Sequence, residues 1–352
     1  MVPMLSLIVS KIEKETPDAV TLTLVPQDGE QVPYQPGQFL TLVLPIRNHE
    51  IRRSFSLSSA PGIDKELQIT VKRIPNGEIS TWMYRHAKVG DVLSSLPPSG
   101  RFVLNPETTH SRDIFMVAAG SGITPIFSLL KSLLVHEPQS HITLIYSNRN
   151  EKSTIFYHQL NALSQKYPDQ FSCLYIFSEP EDHNYPYHAH LNLELLKDLI
   201  EAHQRFERPH TEFMLCGPFA YMRMAEMIIV AMGFDKSQIH KENFLVLAEQ
   251  EAINTIPVQS PSIKAVHIHN GRNDFELRIP VGKTILKTAL EQGISLPYSC
   301  QGGVCGTCSA ICKEGEVKMT INDVLTDKDL ANGWVLTCVG YPMTDKVVLE
   351  IP

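Results

Sequence analysis

Residues 114–125 read Ile-Phe-Met-Val-Ala-Ala-Gly-Ser-Gly-Ile-Thr-Pro. The apolar run 114–118 has the length of a strand buried on both faces. Gly120 and Gly122 then allow a tight turn, and residues 126–135 carry helical spacing. A buried strand, a glycine turn and a helix in succession predict a βα unit of a parallel sheet. The pattern recurs downstream, with strands predicted at 142–146, 173–177 and 213–216 and helices at 156–166, 193–206 and 220–232. Apolar strands alternating with helices predict a doubly wound α/β domain over residues 107–246.

Upstream, residues 1–106 change character. Short, partly alternating runs at 21–25, 39–44, 54–58 and 67–72 are punctuated by Pro36-Gly37, Pro61-Gly62, Asn76-Gly77 and Gly90-Asp91, the pattern of a small antiparallel β-barrel. Residues 1–10 are apolar but have neither a basic leader nor a small-residue cleavage site, so they read as a first strand rather than a signal peptide. Downstream, residues 247–262 lack a period and hold Pro257 and Pro261, as a linker does. Residues 263–352 follow as a compact α+β module.

The chain has 352 residues, enough for two to three domains. Its 43% hydrophobic and 20% charged residues place it among globular proteins. A net charge of −7 without a polybasic run argues against nucleic acid or an anionic membrane as the main partner. No apolar run approaches the length of a transmembrane helix, and cytoplasm is the expected location.

Five of the seven cysteines, Cys300, Cys305, Cys308, Cys312 and Cys338, fall near the C-terminus. The spacing Cys300-x4-Cys305-x2-Cys308, with Cys338 further on, is that of plant-type [2Fe–2S] ligands. Four thiolates offset the charge of two irons, and Gly302, Gly303 and Gly306 free backbone N–H groups to face the sulfurs. A zinc site favours two C-x2–4-C knuckles, and only one pair here has that spacing. Cys312 reads as a small apolar residue on the following strand, and Cys173 as packing. Residues 263–352 resemble a plant-type ferredoxin domain, with Tyr298-Ser299-Cys300 and Val335-Leu336-Thr337-Cys338 matching that family's cluster surroundings, which implies a β-grasp fold.

Arg53-Ser54-Phe55-Ser56 resembles the R-x-[YF]-[ST] motif of the ferredoxin–NADP⁺ reductase superfamily. An Arg can hold a phosphate oxygen pair, an aromatic ring can pack beside a flavin, and a Ser hydroxyl can hydrogen-bond flavin N5. Val71-Lys72-Arg73 and Gly77-Glu78-Ile79-Ser80 follow, the second resembling the family's G-x-x-S turn, where a helix N-terminus meets the flavin pyrophosphate. This favours FAD over FMN. Pro97-Pro98-Ser99-Gly100-Arg101-Phe102 matches the family's barrel-closing segment.

Gly120-Ser121-Gly122-Ile123-Thr124-Pro125 is the superfamily's G-x-G-x-x-P turn rather than the G-x-G-x-x-G of Rossmann domains. The resemblance implies that Thr124 faces the nicotinamide and that Cys216-Gly217-Pro218 lies beside it, Cys216 without a covalent role. The second predicted strand ends Tyr146-Ser147-Asn148-Arg149-Asn150 without an acidic residue. Arg149, with Ser147 or Lys152, can receive a 2′-phosphate, so NADPH is expected over NADH. His240-Lys241-Glu242-Asn243-Phe244 resembles the family's terminal E-x-F segment, in which Phe244 either covers the flavin or packs as a core residue.

Flavin barrel, nicotinamide domain and C-terminal ferredoxin resemble, in that order, the reductase components of oxygenases, such as the phenylacetyl-CoA epoxidase and 3-ketosteroid 9α-hydroxylase reductases. A globin-linked dioxygenase is not expected, since no globin segment precedes the barrel. The resemblance implies hydride transfer from NADPH to FAD, then single electrons through the cluster to an oxygenase, a hydroxylase or another acceptor protein. No His, Asp or Glu is nominated as catalytic. A redox sensor or scaffold binding the same cofactors without turnover is the competing reading. The linker is expected to let the ferredoxin swing.

Overall fold

The computed structural model describes residues 4–46, 49–74, 77–182, 184–244, 263–271 and 273–352. The predicted linker 247–262 lies outside them. The chain divides into two compact units, one of Met4–Pro98 with Phe102–Glu242, the other mainly Asn243–Pro352.

The first unit opens with an antiparallel sheet. Its strands are β1 (Leu5–Thr16), β2 (Ala19–Pro26), β3 (Phe39–Ile46), β4 (His49–Ser56), β5 (Leu67–Lys72) and, after helix α1 (Glu78–His86), β6 (Val92–Ser99). The spatial order is β4-β3-β6-β1-β2-β5. The edges approach each other through an antiparallel bridge between Leu57 and Ile69 and a hydrogen bond from Ser58 N to Gln68 O of 2.8 Å, so the sheet curls into a barrel. Leucines and valines of alternate positions fill it. On the face of β2 and β5 turned away from that core, buried Thr21 and Thr70 meet through their hydroxyls at 2.8 Å, which removes the cost of burying them singly.

The same unit continues into a five-stranded parallel sheet. Its elements are β7 (Asp113–Ala119), α2 (Ile123–His136), β8 (His141–Asn148), α3 (Tyr157–Lys166), β9 (Phe171–Phe177), α4 (Leu193–His203), β10 (Thr211–Cys216), α5 (Phe219–Ala231) and β11 (Ile239–Glu242). The order β11-β10-β7-β8-β9 is doubly wound and reverses at β7. Helix α2 is apolar nearly all round and almost wholly buried, as a helix between two layers must be. Barrel residues Ala19 and Phe102 join its core cluster, and Ser128 Oγ donates to the barrel carbonyl of Ser59 at 2.5 Å. Barrel and α/β sheet therefore share one core, which fixes their strand ends relative to each other.

The second unit holds β12 (Lys264–Asn270), β13 (Asn273–Ile279), α6 (Ile285–Glu291), β14 (Ser309–Glu314), β15 (Val317–Met319), α7 (Asp327–Ala331), β16 (Trp334–Leu336), β17 (Gly340–Pro342) and β18 (Lys346–Ile351). Its main sheet runs β13-β12-β18-β14-β16, with β12 and β18 parallel and the other pairs antiparallel. Helix α6 covers one face and buries Ile285, Leu286 and Ala289 in the core. This is a β-grasp arrangement. No helix among the described residues is long and apolar enough to cross a membrane.

Candidate functional site

Open parallel sheets bind ligands outside the carboxyl ends of their strands, where the strand order reverses. Here that place lies between β7 and β10. After β7 a single 3-10 turn, Gly120–Gly122, leads into α2. Gly120 has φ +54°, and Tyr146 Oη ties its carbonyl at 2.9 Å. Gly122 is required for a different reason: a Cβ there would be driven into the Cys216 carbonyl and lie 2.9 Å from Gly217 N. Gly217 in turn abuts Ala119 and Tyr221, at 3.1 and 3.2 Å from where its Cβ would stand. Thr124 is buried, and its hydroxyl donates to Ser121 O at 3.0 Å, which ties the turn. Pro125 sits in the first turn of α2, where its missing N–H leaves no bond unmade. Pro218 caps α5.

On the barrel side, Arg53 is half-buried and donates through Nη1 to Arg52 O at 2.8 Å. Burial lowers its guanidinium pKa, opposed by the nearby Glu78. Glu78 opens α1, whose N-cap Gly77 supplies no side-chain acceptor. A Cβ on Gly77 would stand 2.6 Å from Ser80 Oγ, and that hydroxyl instead accepts Ile74 N at 3.1 Å, closing the turn. Ser54 meets Thr41 Oγ1 at 3.0 Å. Val71 and Ile79 are buried in the barrel core, with Phe55 packed against it. Lys72 Nζ stands 3.8 Å from Asp18 and 3.8 Å from the Cβ position of Gly120, so the barrel motif and the nucleotide turn are neighbours. A half-desolvated arginine, a lysine and an open helix N-terminus fit a diphosphate.

Between these turns lies a contact that no local motif announced. Ser56 Oγ, at the end of β4, donates to Glu242 Oε2 at 2.9 Å. Glu242 ends β11 directly opposite Cys216 in the register. All three side chains are buried. Desolvation pushes the Glu242 carboxyl up to about 8, with the Ser56 bond opposing it. Burial, then Glu242, pushes the Cys216 thiol well up. Both shifts favour the uncharged forms, a protonated acid beside a protonated thiol. In the sequence Glu242 reads only as part of the E-x-F segment. Its partner is 186 residues away, and only its place in the E-x-F segment hinted at it. Phe244 is 42% exposed, which removes the core reading of that residue.

The burial of Glu242 has a pH signature. Its ordinary value is 4.5 and its folded value about 8. Folding therefore favours the protonated form, and this contribution is intact below the ordinary value and lost as pH rises through the folded one. Glu242→Gln, which stays neutral, is expected to match wild type below about pH 4 and exceed it toward about pH 9, by up to about 5 kcal/mol. Thermal melts of the two proteins across that range check this; parallel profiles would show that Glu242 is not held protonated.

A cavity of about 290 Å³ opens at the ends of β7, β8 and β9, lined among others by Ser147, Arg149, Ser178, His190 and Tyr221. Tyr221 Oη donates to Ala118 O at 3.1 Å and meets Ser147 Oγ at 3.0 Å, bracing two strand ends. Arg149 Nε lies 3.4 Å from Glu179 Oε2, and Lys152 Nζ lies 2.5 Å from Glu181 Oε1. Among the described residues none that lines the cavity is acidic.

In the second unit the four predicted ligands converge. Cys300 and Cys305 are half-buried, Cys308 and Cys338 buried. Cys300 is within hydrogen-bonding reach of Cys305 and Cys338, and Cys308 of Cys338. Gly302 N donates to Cys300 Sγ at 3.3 Å. Gly303 holds φ +80°, with Ile321 O 2.9 Å from its Cβ position. Thr337 donates to Cys308 O through both its N and its Oγ1, each at 3.1 Å, which clamps the two ligand segments together. Among the described residues no three His, Cys, Asp or Glu are grouped to hold a single metal ion; a binuclear cluster takes only two cysteine sulfurs per iron, and a donor set of four thiols fits it. Cys312 lies on β14, packs against the core, and donates to Glu314 O at 3.5 Å. Cys173 lies on β9, its thiol pushed up to about 12 by burial.

Fold and site together define a flavin-dependent pyridine-nucleotide reductase carrying a [2Fe–2S] domain. Residues 6–104 match the oxidoreductase FAD-binding domain family, 116–227 the oxidoreductase NAD-binding domain family, and 268–343 the 2Fe-2S iron-sulfur cluster binding domain family. The chain is 37% identical over 349 residues to the E subunit of 1,2-phenylacetyl-CoA epoxidase from Escherichia coli, covering 98% of this chain and 97% of that one. It is 34% identical to the ferredoxin reductase component of 3-ketosteroid-9-alpha-monooxygenase of Mycobacterium tuberculosis, covering 97% and 94%. Phthalate dioxygenase reductase has the same fold, with a TM-score of 0.59 at 23% identity over 99% and 98% of the two chains. The chain belongs to the family of FAD- and [2Fe–2S]-containing reductase components of oxygenases.

Proposed function

We propose that this reductase draws hydride from NADPH and delivers electrons to an oxygenase of phenylacetyl-CoA or related aromatic catabolism. The end-to-end likeness to the E subunit of phenylacetyl-CoA epoxidase supports the partner. The donor reading is carried by the cavity at the ends of β7–β9, whose described lining holds Arg149 and His190 and no acid, Glu179 reaching Arg149 from outside the lining; a site for NADH commonly places an acid on the ribose hydroxyls. Seven unpaired cysteines support a cytoplasmic location. We divide the chain at 1–106, 107–246, a linker 247–262, and 263–352.

When bound, FAD supplies the step from a two-electron donor to a one-electron acceptor, and the cluster supplies the exit. In this reading Arg53, Lys72, Gly77 and the α1 N-terminus with Ser80 hold the flavin diphosphate, while Ser54, Phe55, Val71 and Ile79 shape the pocket. Ser56 would face the flavin ring, with Glu242, bonded to its hydroxyl, as the nearby proton-holding group. Gly120, Gly122, Thr124, Pro125 and Cys216-Gly217-Pro218 form the nicotinamide slot. Cys300, Cys305, Cys308 and Cys338 ligate the irons.

Steady-state reduction of cytochrome c with each nucleotide tests the donor. NADPH is expected to have the higher kcat/KM. Arg149→Ala should raise the NADPH KM about tenfold or more, the worth of a charge-assisted phosphate contact, with little change for NADH. A higher kcat/KM for NADH would overturn the reading.

A further inference from the structure

We propose that Glu179 is a specificity-determining residue: its carboxylate competes with the 2′-phosphate of NADPH for Arg149 and holds back the preference for NADPH over NADH. This rests on the reading of Arg149 as the phosphate partner. The loops after β8 and β9 are stapled together. Ser178 N donates to Asn148 O at 3.1 Å and Glu179 N to Arg149 O at 2.7 Å, and Glu181 N donates to Glu151 Oε2 at 3.0 Å. The β8 loop is itself fixed by a reciprocal cap between Asn150 and Ser153.

The staple delivers one carboxylate to each cation of the β8 loop, Glu179 to Arg149 and Glu181 to Lys152. Arg149 and Glu179 are 70% and 66% exposed, so their attraction is weak and salt-screened. A phosphate can grip the guanidinium through two hydrogen bonds and take it from the carboxylate, but every NADPH that binds must break the pair and accept a second anion beside its own charge. NADH carries no 2′-phosphate and leaves the pair intact. Glu179 thus weakens one nucleotide and spares the other.

In the holoenzyme, Glu179→Gln is expected to lower the NADPH KM and the Kd of 2′,5′-ADP about two- to fivefold. The change falls in KM rather than kcat, and neither the NADH KM nor the Kd of 5′-AMP follows it. Glu179→Asp, which keeps the charge, should restore most of the wild-type KM. High salt should erase the gain, and Glu179→Gln should add nothing in an Arg149→Ala background. If NADPH and 2′,5′-ADP bind Glu179→Gln no better than wild type, the proposal is overturned. It is overturned equally if the NADH KM rises, since Glu179 would then be a ribose ligand. Arg149→Ala separates the two failures: loss of NADPH binding there with a silent Glu179→Gln sinks the Glu179 role alone, whereas a silent Arg149→Ala sinks the phosphate reading with it.

Discussion

Cys308→Ser is expected to abolish electron delivery to cytochrome c while leaving reduction of bound flavin by nicotinamide in place. Cys308 is 4% exposed and forms part of the core of the second unit, where Thr337 clamps its segment to that of Cys338. A serine hydroxyl is a harder and far less acidic donor than a thiol, so it does not replace a thiolate on iron. Metal binding and folding are coupled in small metal domains, so the loss should also lower the melting temperature of the second unit. Iron content, the cluster absorption shoulder and stopped-flow flavin bleaching read the three effects separately. Cys312→Ser is the control. Its sulfur is engaged with the Glu314 carbonyl on β14, and full iron content is expected. Wild-type iron in Cys308→Ser together with iron loss in Cys312→Ser would exchange the two ligand assignments.

Gly122→Ala should slow flavin reduction by about a hundredfold with flavin and cluster still bound. The added Cβ meets the Cys216 carbonyl and the Gly217 amide, both backbone, and neither can rotate away as a side chain would. The start of α2 must move off the end of β10, and displacement of about 1 Å at a hydride-transfer site costs about 10² in rate. Overpacking adds roughly 1–3 kcal/mol of instability. Gly120→Ala separates this from backbone strain. Gly120 has φ +54° but open space, with Lys72 Nζ at 3.8 Å the sole neighbour of its Cβ position, so the expected cost is about 1–2 kcal/mol and a mild rate loss. Equal effects at both positions would mean that strain, and not the close approach of α2 to β10, sets the requirement for glycine.

Much of this was legible in the chain. The run 114–118 became β7 with one residue added at each end, and the helix predicted at 126–135 begins at Ile123 because proline is tolerated in a first turn. The helix expected over 193–206 stops at His203, where Gln204 turns to extended backbone. The strand expected at 54–58 is the end of β4, which starts at His49. β6 was missed because Pro97-Pro98 argues against a strand; it pairs with β1 only ahead of the prolines, from Val92 to Ser95. Helix α1 spans only nine residues, too few for its period to stand out.

The sequence by itself determined the three folding patterns, the spacing of the four cysteines proposed as ligands and the glycine turns that join strand to helix. Each depends on short-range facts: strand and helix periods, the reach of a loop between two cysteines, the φ of a single residue. Only the tertiary structure decided that Ser56 bonds Glu242, that Gly122 presses on Cys216, and that Glu179 faces Arg149. Those contacts join the ends of different strands, and a strand end carries no local mark of which loop the sheet order will set beside it. The shared core around α2 brings barrel and sheet into register, and burial, rather than residue type, shifts the Glu242 carboxyl upward.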